Sequence, residues 1–371
     1  MSTTSHKLII GASQCMGDLA DESVDLVVTS PPYPMIEMWD DIFALQDPAI
    51  RDSLNDNPYR AFELMHRQLD AVWSECYRLI RPGGFLCINI GDATRTIGGN
   101  FSLYENHVRI ASKCSALGFT SLPCILWRKQ TNAPNKFMGS GMLPCGAYVT
   151  LEHEWILIYR KGDKRSFASA NEKELRMLSS YFWEERNVWF SDVWDVKGVK
   201  QGMRVEHSRS RSAAFPFEVP YRLINMFSQK SDVVLDPFVG TGTTMVAALV
   251  AGRNSVGVEI DPHLEDFVMH SVAGLDINEA NAVLKHRVER HADFVVHRES
   301  VLGKEVKYYN DKLRQKVMTR QEVGIELNYI TTVKPGDDER TVIAEYEELS
   351  NPQMPPFSSG SGLFDSQGYL K

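Results

Sequence analysis

The sequence predicts an α/β fold built on a mainly parallel sheet. Short apolar runs alternate with amphipathic helical patterns over most of the 371 residues. Two of those runs end in abrupt turns, Thr29-Ser30-Pro31-Pro32-Tyr33 and Asp236-Pro237-Phe238-Val239-Gly240-Thr241-Gly242-Thr243-Thr244. A hydrophobic content of 43% is enough to bury a sizeable core.

Residues 7–10 and 24–28 read as strands, the second running straight into Thr29. Over 61–80, Met65, Leu69, Val72, Trp73, Cys76 and Ile80 recur at helical spacing, which predicts an amphipathic helix. Pro82-Gly83-Gly84 then turns the chain into a strand over 85–90. A helix over 105–117 ends at Gly118, and a strand over 119–127 follows. Further strands are expected at 153–159, 233–235 and 255–259, with helices at 219–228 and 243–251. Residues 128–150 are rich in Asn, Pro and Gly and read as loop. Residues 161–211 are polar, aromatic and basic with little periodicity, so they read as an insertion rather than a core layer. After Asn278, the spacing of Ala280, Leu284, Val288 and Ala292 predicts a long helix. From Ser350 onward Pro, Ser and Gly dominate, the composition of a disordered tail.

The net charge of −8 is no veto on a polyanionic partner, because binding follows the local field. Lys197, Lys200, Arg204, Arg209 and Arg211 cluster in one stretch that holds a single acid, Glu206. No apolar stretch is long enough to span a membrane, and the first residues lack the apolar region of a signal peptide. The 6 cysteines are spread singly without a CxxC pair, so neither a disulfide framework nor a metal site is expected. A reduced, cytoplasmic setting is the plain expectation.

Val233 to Asp236, then Gly240-Thr241-Gly242 and a helical pattern, form a strand–glycine turn–helix unit. Glycines let a ligand approach the backbone, and a helix N-terminus offers unpaired N–H groups. The next strand ends at Glu259, at the spacing of roughly 20 residues where a carboxylate can hold ribose hydroxyls. Thr243 and Thr244 interrupt a dinucleotide GxGxxG pattern, and no lysine follows Gly242 as in a P-loop. In the upstream turn, Pro31 and Pro32 carry no N–H, so carbonyls can face outward as acceptors. Ser30 adds a hydroxyl and Tyr33 an aromatic face.

These motifs resemble those of DNA amino-methyltransferases that use S-adenosyl-methionine. With the acceptor turn before the donor turn, the order resembles the permuted beta class. The resemblance covers roughly 7–261 and implies a Rossmann-like methyltransferase sheet, circularly permuted, with an inserted target-recognition region. It divides the chain into a catalytic half (1–160), a recognition insertion (161–212), a donor-binding half (213–275), a helical extension (276–349) and a tail (350–371).

The resemblance implies that Asp236 lies near the methionine end of the donor, that Glu259 binds its ribose and that Phe238 lines its pocket. Pro237, Gly240, Gly242 and Thr243 complete that turn, and His207, Phe215 and Pro216 match a stretch packed over the methionine moiety. Ser30, Pro31, Pro32 and Tyr33 would grip an exocyclic amine on a flipped-out base. Such an amine is a poor nucleophile, because its lone pair is delocalised into the ring. Hydrogen bonds to Ser30 and the Pro31 carbonyl would localise that pair and aim it at the methyl group. Ser rather than Asp before the prolines resembles the cytosine-N4 group, with adenine N6 as the alternative. A protein-glutamine methyltransferase would carry Asn there, with the donor turn first; a catalytically inactive DNA-binding relative would not need both turns intact. Trp127-Arg128-Lys129 and His153-Glu154 match family strands whose role is largely structural. Double-stranded DNA, contacted through Lys197, Lys200, Arg204, Arg209 and Arg211, is the implied partner. A paired restriction endonuclease in a prokaryotic cytoplasm, acting at the nucleoid, is the implied setting; monomer and dimer stay open.

Overall fold

The computed structural model describes residues 2–129, 138–139, 142–197 and 215–348. In chain order it runs β1 (Ser2–Ile10), β2 (Val24–Thr29), α1 (Asp40–Gln46), α2 (Ala49–Asp56), α3 (Pro58–Leu79), β3 (Ile80–Ile90), β4 (Ala93–Ile97), β5 (Asn100–Tyr104), α4 (Asn106–Ala116) and β6 (Phe119–Arg128). The short strands β7 (Met138–Gly139) and β8 (Ala147–Tyr148) precede β9 (His153–Lys161), α5 (Ala170–Leu178), α6 (Trp183–Trp189) and β10 (Val193–Trp194). The second half holds α7 (Glu218–Phe227), β11 (Val233–Asp236), α8 (Thr243–Val250), β12 (Asn254–Glu259), α9 (Glu265–Ala273) and α10 (Ile277–Ser300). It closes with β13 (Tyr308–Asn310), β14 (Gln315–Val317), β15 (Asn328–Pro335) and β16 (Thr341–Glu348).

Ten strands form one sheet in the order β10-β6-β9-β3-β2-β11-β12-β1-β16-β15. The central five, β3 to β1, are parallel, and β9, β16 and β15 join antiparallel on the flanks. Every residue of β2 is buried, as in a sheet covered on both faces. Leu26 and Val28 point into a core shared with α7, α8 and α10, whereas Val27 points into a second core under α3 and α4. The α3 helix starts where Asn57 accepts from Arg60 N at 3.1 Å and Pro58 takes a first-turn position. Gly118, at φ +97°, closes α4 as expected. The turn expected at Pro82-Gly83-Gly84 is instead absorbed into β3 as a register shift against β2, with Gly83 at φ +84°.

Two expectations need correction. The region after 161 is not purely a surface insertion: α5 and α6 form, β10 pairs with β6, and Trp189 and Trp194 are buried. Both helices are too short to display a helical period, so the sequence shows only aromatics and charge. The 276–349 extension is α-helical through α10 and carries one 3-10 turn at Arg320–Gly324, after which β15 and β16 extend the main sheet. Val342, Ala344 and Tyr346 alternate inward along β16, a period of 2 that the sequence displays. The tail from Ser350 lies outside the described residues. All 6 cysteines are free, and no described helix is long and apolar enough to cross a membrane.

Candidate active site

Both turns leave the C-terminal ends of adjacent strands. Leu26 and Val27 of β2 lie opposite Val234 and Leu235 of β11, so Ser30 and Asp236, distant in sequence, emerge side by side. This is the sheet edge at which open α/β folds bind ligands. A direct bond ties the turns together: Thr29 Oγ1 donates to Asp236 Oδ1 at 2.6 Å. Thr244 Oγ1 donates to Oδ2 at 2.6 Å, and Phe238 N donates to Oδ1 at 3.0 Å. Asp236 is 3% exposed and its carboxylate faces protein hydroxyls, so the structure makes it the brace between the turns. Burial lifts its pKa to about 6 against the pull of Thr244, Thr29 and the Phe238 N–H.

The glycine turn is open at Gly240 and packed against Val268 at Gly242. Gly240 and Gly242 sit at φ +53° and +86°, and a Cβ on Gly240 would meet nothing closer than 3.8 Å. Glu259, at the end of β12, accepts from Gly240 N through Oε2 and from Asp261 N through Oε1, each at 3.0 Å. Phe238 is half-buried, edge-on to Trp73 at 6.1 Å, and Ser13 Oγ donates to the Pro237 carbonyl. Thr243 opens α8 and shares a hydrogen bond of 3.2 Å with Thr241. A carboxylate, an aromatic edge and open glycine backbone suit a nucleoside-containing ligand. Phe215 and Pro216 are buried just ahead of α7, with Phe215 in the core. His207, Lys200, Arg204, Arg209 and Arg211 lie outside the described residues; Lys197 is described and exposed.

The acceptor turn carries more than the sequence reading assigned. Pro31 is buried, while Ser30, Pro32 and Tyr33 are half-buried. Ser30 Oγ lies 3.1 Å from Tyr33 Oη, which donates to Glu154 Oε2 at 2.9 Å. Asn89 Nδ2 donates to Tyr33 Oη at 2.8 Å and to Glu154 Oε2 at 2.7 Å. Lys129 Nζ donates to Glu154 Oε1. Burial first, then the Glu154 charge, raises the Tyr33 pKa well above the ordinary phenol range, with the Ser30 contact opposing. Tyr33 is thus a neutral hydroxyl anchored by its polar end, not only a ring offered for stacking. Lys129 and Glu154, expected to be largely structural, hold the polar end of Tyr33, and Asn89, which no motif marks, joins them. Its one signal was an amide amid the apolar residues of β3, near the strand's end.

The sequence profile of a family described as DNA methylase matches residues 24–269. This chain belongs to that DNA methylase family. The methylase is 50% identical over 334 residues to the type II methyltransferase M.MthZI of Methanothermobacter thermautotrophicus, spanning 89% of this chain and 92% of that one. It is 47% identical to M.MjaI of Methanocaldococcus jannaschii over 74% of this chain and 96% of that one. Among solved structures it resembles a candidate DNA modification methylase of Thermus thermophilus, complexed with S-adenosyl-L-methionine. That likeness has 33% identity and a TM-score of 0.55, covering 71% of this chain and 92% of the other.

Gly91 tests how tightly the methylase holds its acceptor turn. A Cβ there would lie 2.9 Å from the Tyr33 ring and 3.3 Å from Glu154 Cγ. Gly91→Ala is expected to push Tyr33 off its partners and slow methyl transfer on the order of 10-fold, since small misplacements of positioning groups are costly. Initial rates on plasmid DNA, alongside a melting curve, check this: an unchanged rate would show that the ring's position is not critical.

Proposed function

We propose that this methylase transfers a methyl group from S-adenosyl-methionine to N4 of cytosine in duplex DNA. It acts at a short specific sequence, on a base flipped out of the stack. The observation that carries the reading is the Thr29–Asp236 bond, which holds the Ser30 turn against the glycine turn. An acceptor for an amine and a cradle for a donor then share one sheet edge. Ser30 in place of an acidic residue favours cytosine over adenine. Lys197 and the basic residues that follow it would meet the phosphates, and a restriction endonuclease of the same specificity would be the functional partner.

The deciding experiment methylates DNA in vitro and identifies the modified nucleoside by mass spectrometry and its context by sequencing. N4-methylcytosine supports the reading; N6-methyladenine would replace the base assignment and leave the rest. Calorimetry with the donor separates an enzyme from an inactive relative, which would show no binding.

Glu259 gives a sharper test of the donor site. Gln at this position has one acceptor oxygen, so either Gly240 N or Asp261 N loses its partner. Hydrogen bonds to charged groups contribute ~1.5–3 kcal/mol, so Glu259→Gln is expected to weaken donor binding roughly 10- to 100-fold. Donor affinity within twofold of the native protein would remove Glu259 from the site.

A further inference from the structure

Methyl transfer to an exocyclic amine leaves a proton to be removed. We propose that Ser30, Tyr33 and Glu154 form a directional relay that carries this proton from the acceptor nitrogen to the Glu154 carboxylate. The inference rests on the amine-methylation reading, but not on which base supplies the amine.

The direction follows from the donors and acceptors present. Glu154 as a carboxylate only accepts, and Lys129 and Asn89 both donate to it. Asn89 must present its NH2 side, because its carbonyl would face the carboxylate. Asn89 therefore donates to Tyr33 Oη as well. The Tyr33 proton points to Glu154 at 2.9 Å, which leaves the Tyr33 oxygen as acceptor for the Ser30 hydroxyl at 3.1 Å. With its own proton aimed inward, Ser30 Oγ can present only lone pairs to a substrate. Such a hydroxyl accepts an amine N–H and cannot donate to a ring nitrogen or carbonyl.

The balance closes without a further reagent. The amine nitrogen bonds to the methyl carbon as the carbon–sulfur pair returns to sulfur, leaving a thioether and an extra proton on nitrogen. That proton passes to Ser30 Oγ, the Ser30 proton to Tyr33 Oη, and the Tyr33 proton to Glu154 Oε2. Glu154 becomes a carboxylic acid and returns its proton to water between turnovers. Asp92, a carboxylate two residues past the end of β3, is engaged by His107 at 2.7 Å and Trp155 at 3.3 Å, so it is held away from this relay.

Glu154→Gln keeps the shape but removes the proton acceptor, and Tyr33→Phe keeps the ring but cuts the chain. The assay is single-turnover methylation of duplex DNA with S-adenosyl-methionine, with DNA and donor affinities measured in parallel. Both variants are expected to lose roughly 100-fold in rate, the scale of general acid–base assistance, with affinities within about threefold. The native rate should slow in deuterated solvent, and Glu154→Gln should shrink that effect, which a merely structural role would not do. A rate within about threefold of native in either folded variant overturns the relay. Identifying the methylated nucleoside in the same reaction keeps the two readings apart, because N6-methyladenine with both rates reduced would overturn cytosine and uphold the relay.

Discussion

Ser30→Ala is expected to lower the methyl-transfer rate by about 100- to 1000-fold, the scale seen when one aligned polar group is taken from a reacting centre. DNA affinity should stay within about twofold, because phosphate contacts supply most of it and Ser30 makes none of them. The reason is placement. Ser30 stands half-buried at the end of β2, its hydroxyl fixed by Tyr33 at 3.1 Å and reached by Asn89 at 3.5 Å. The amine lone pair needs an acceptor at that point to leave conjugation with the ring. Alanine offers none, and water in its place would be neither oriented nor excluded. Single-turnover rates and gel-shift affinities on the same duplex decide the matter. A variant that methylates within about fivefold of native would show that the Pro31 carbonyl suffices alone.

The largest expected effect on stability lies far from that turn. Arg287 on α10 is 3% exposed and grips Glu185 of α6 with two hydrogen bonds, 2.7 and 2.8 Å, while Nη1 donates to Tyr221 of α7 at 3.0 Å. Burial alone would pull the Arg287 pKa down; Glu185 and Tyr221 hold it above its ordinary value. Arg287→Ala would strand the Glu185 charge in a buried site and is expected to cost ~3–5 kcal/mol. Replacing both partners together, Arg287→Met with Glu185→Leu, should recover part of that loss, because the apolar pair needs no solvation while the Phe182 N–H and the Tyr221 hydroxyl lose their partners. Urea denaturation of the three proteins measures it. A single variant that loses less than about 1 kcal/mol would show that water reaches Glu185.

Much of the site was legible because its chemistry sits in two contiguous runs. Ser30, Tyr33 and Gly240 each follow a strand whose apolar pattern is plain, Glu259 ends another, and the pairing of β2, β11 and β12 brings them together. The deeper half was hidden because it is assembled across strands. Asn89, Lys129 and Glu154 come from β3, the residue after β6, and β9, and nothing local marks a lone Glu near a strand's start as facing a tyrosine 121 residues away, or a lone Lys as facing that Glu. The core followed the same division. The α3 helix shows its period over many turns, whereas α6, with 7 residues, shows none, and of its two tryptophans only Trp189 is buried, with Arg287 of α10 over its ring. The β15–β16 hairpin was missed although its alternation is visible, because the long α10 pattern ahead of it set the expectation.

The place of β1 in the sheet sets the order in which the protein can come alive. This strand is made before both of its neighbours, β12 and β16, with His6 opposite Ser255 and Ser2 opposite Tyr346. Contacts so far apart along the chain close late in folding. The acceptor turn is therefore synthesised long before β11, which carries its neighbouring turn, and β12, which carries Glu259. A nascent chain that has made only the acceptor turn holds half a site until β12 is laid between β11 and β1.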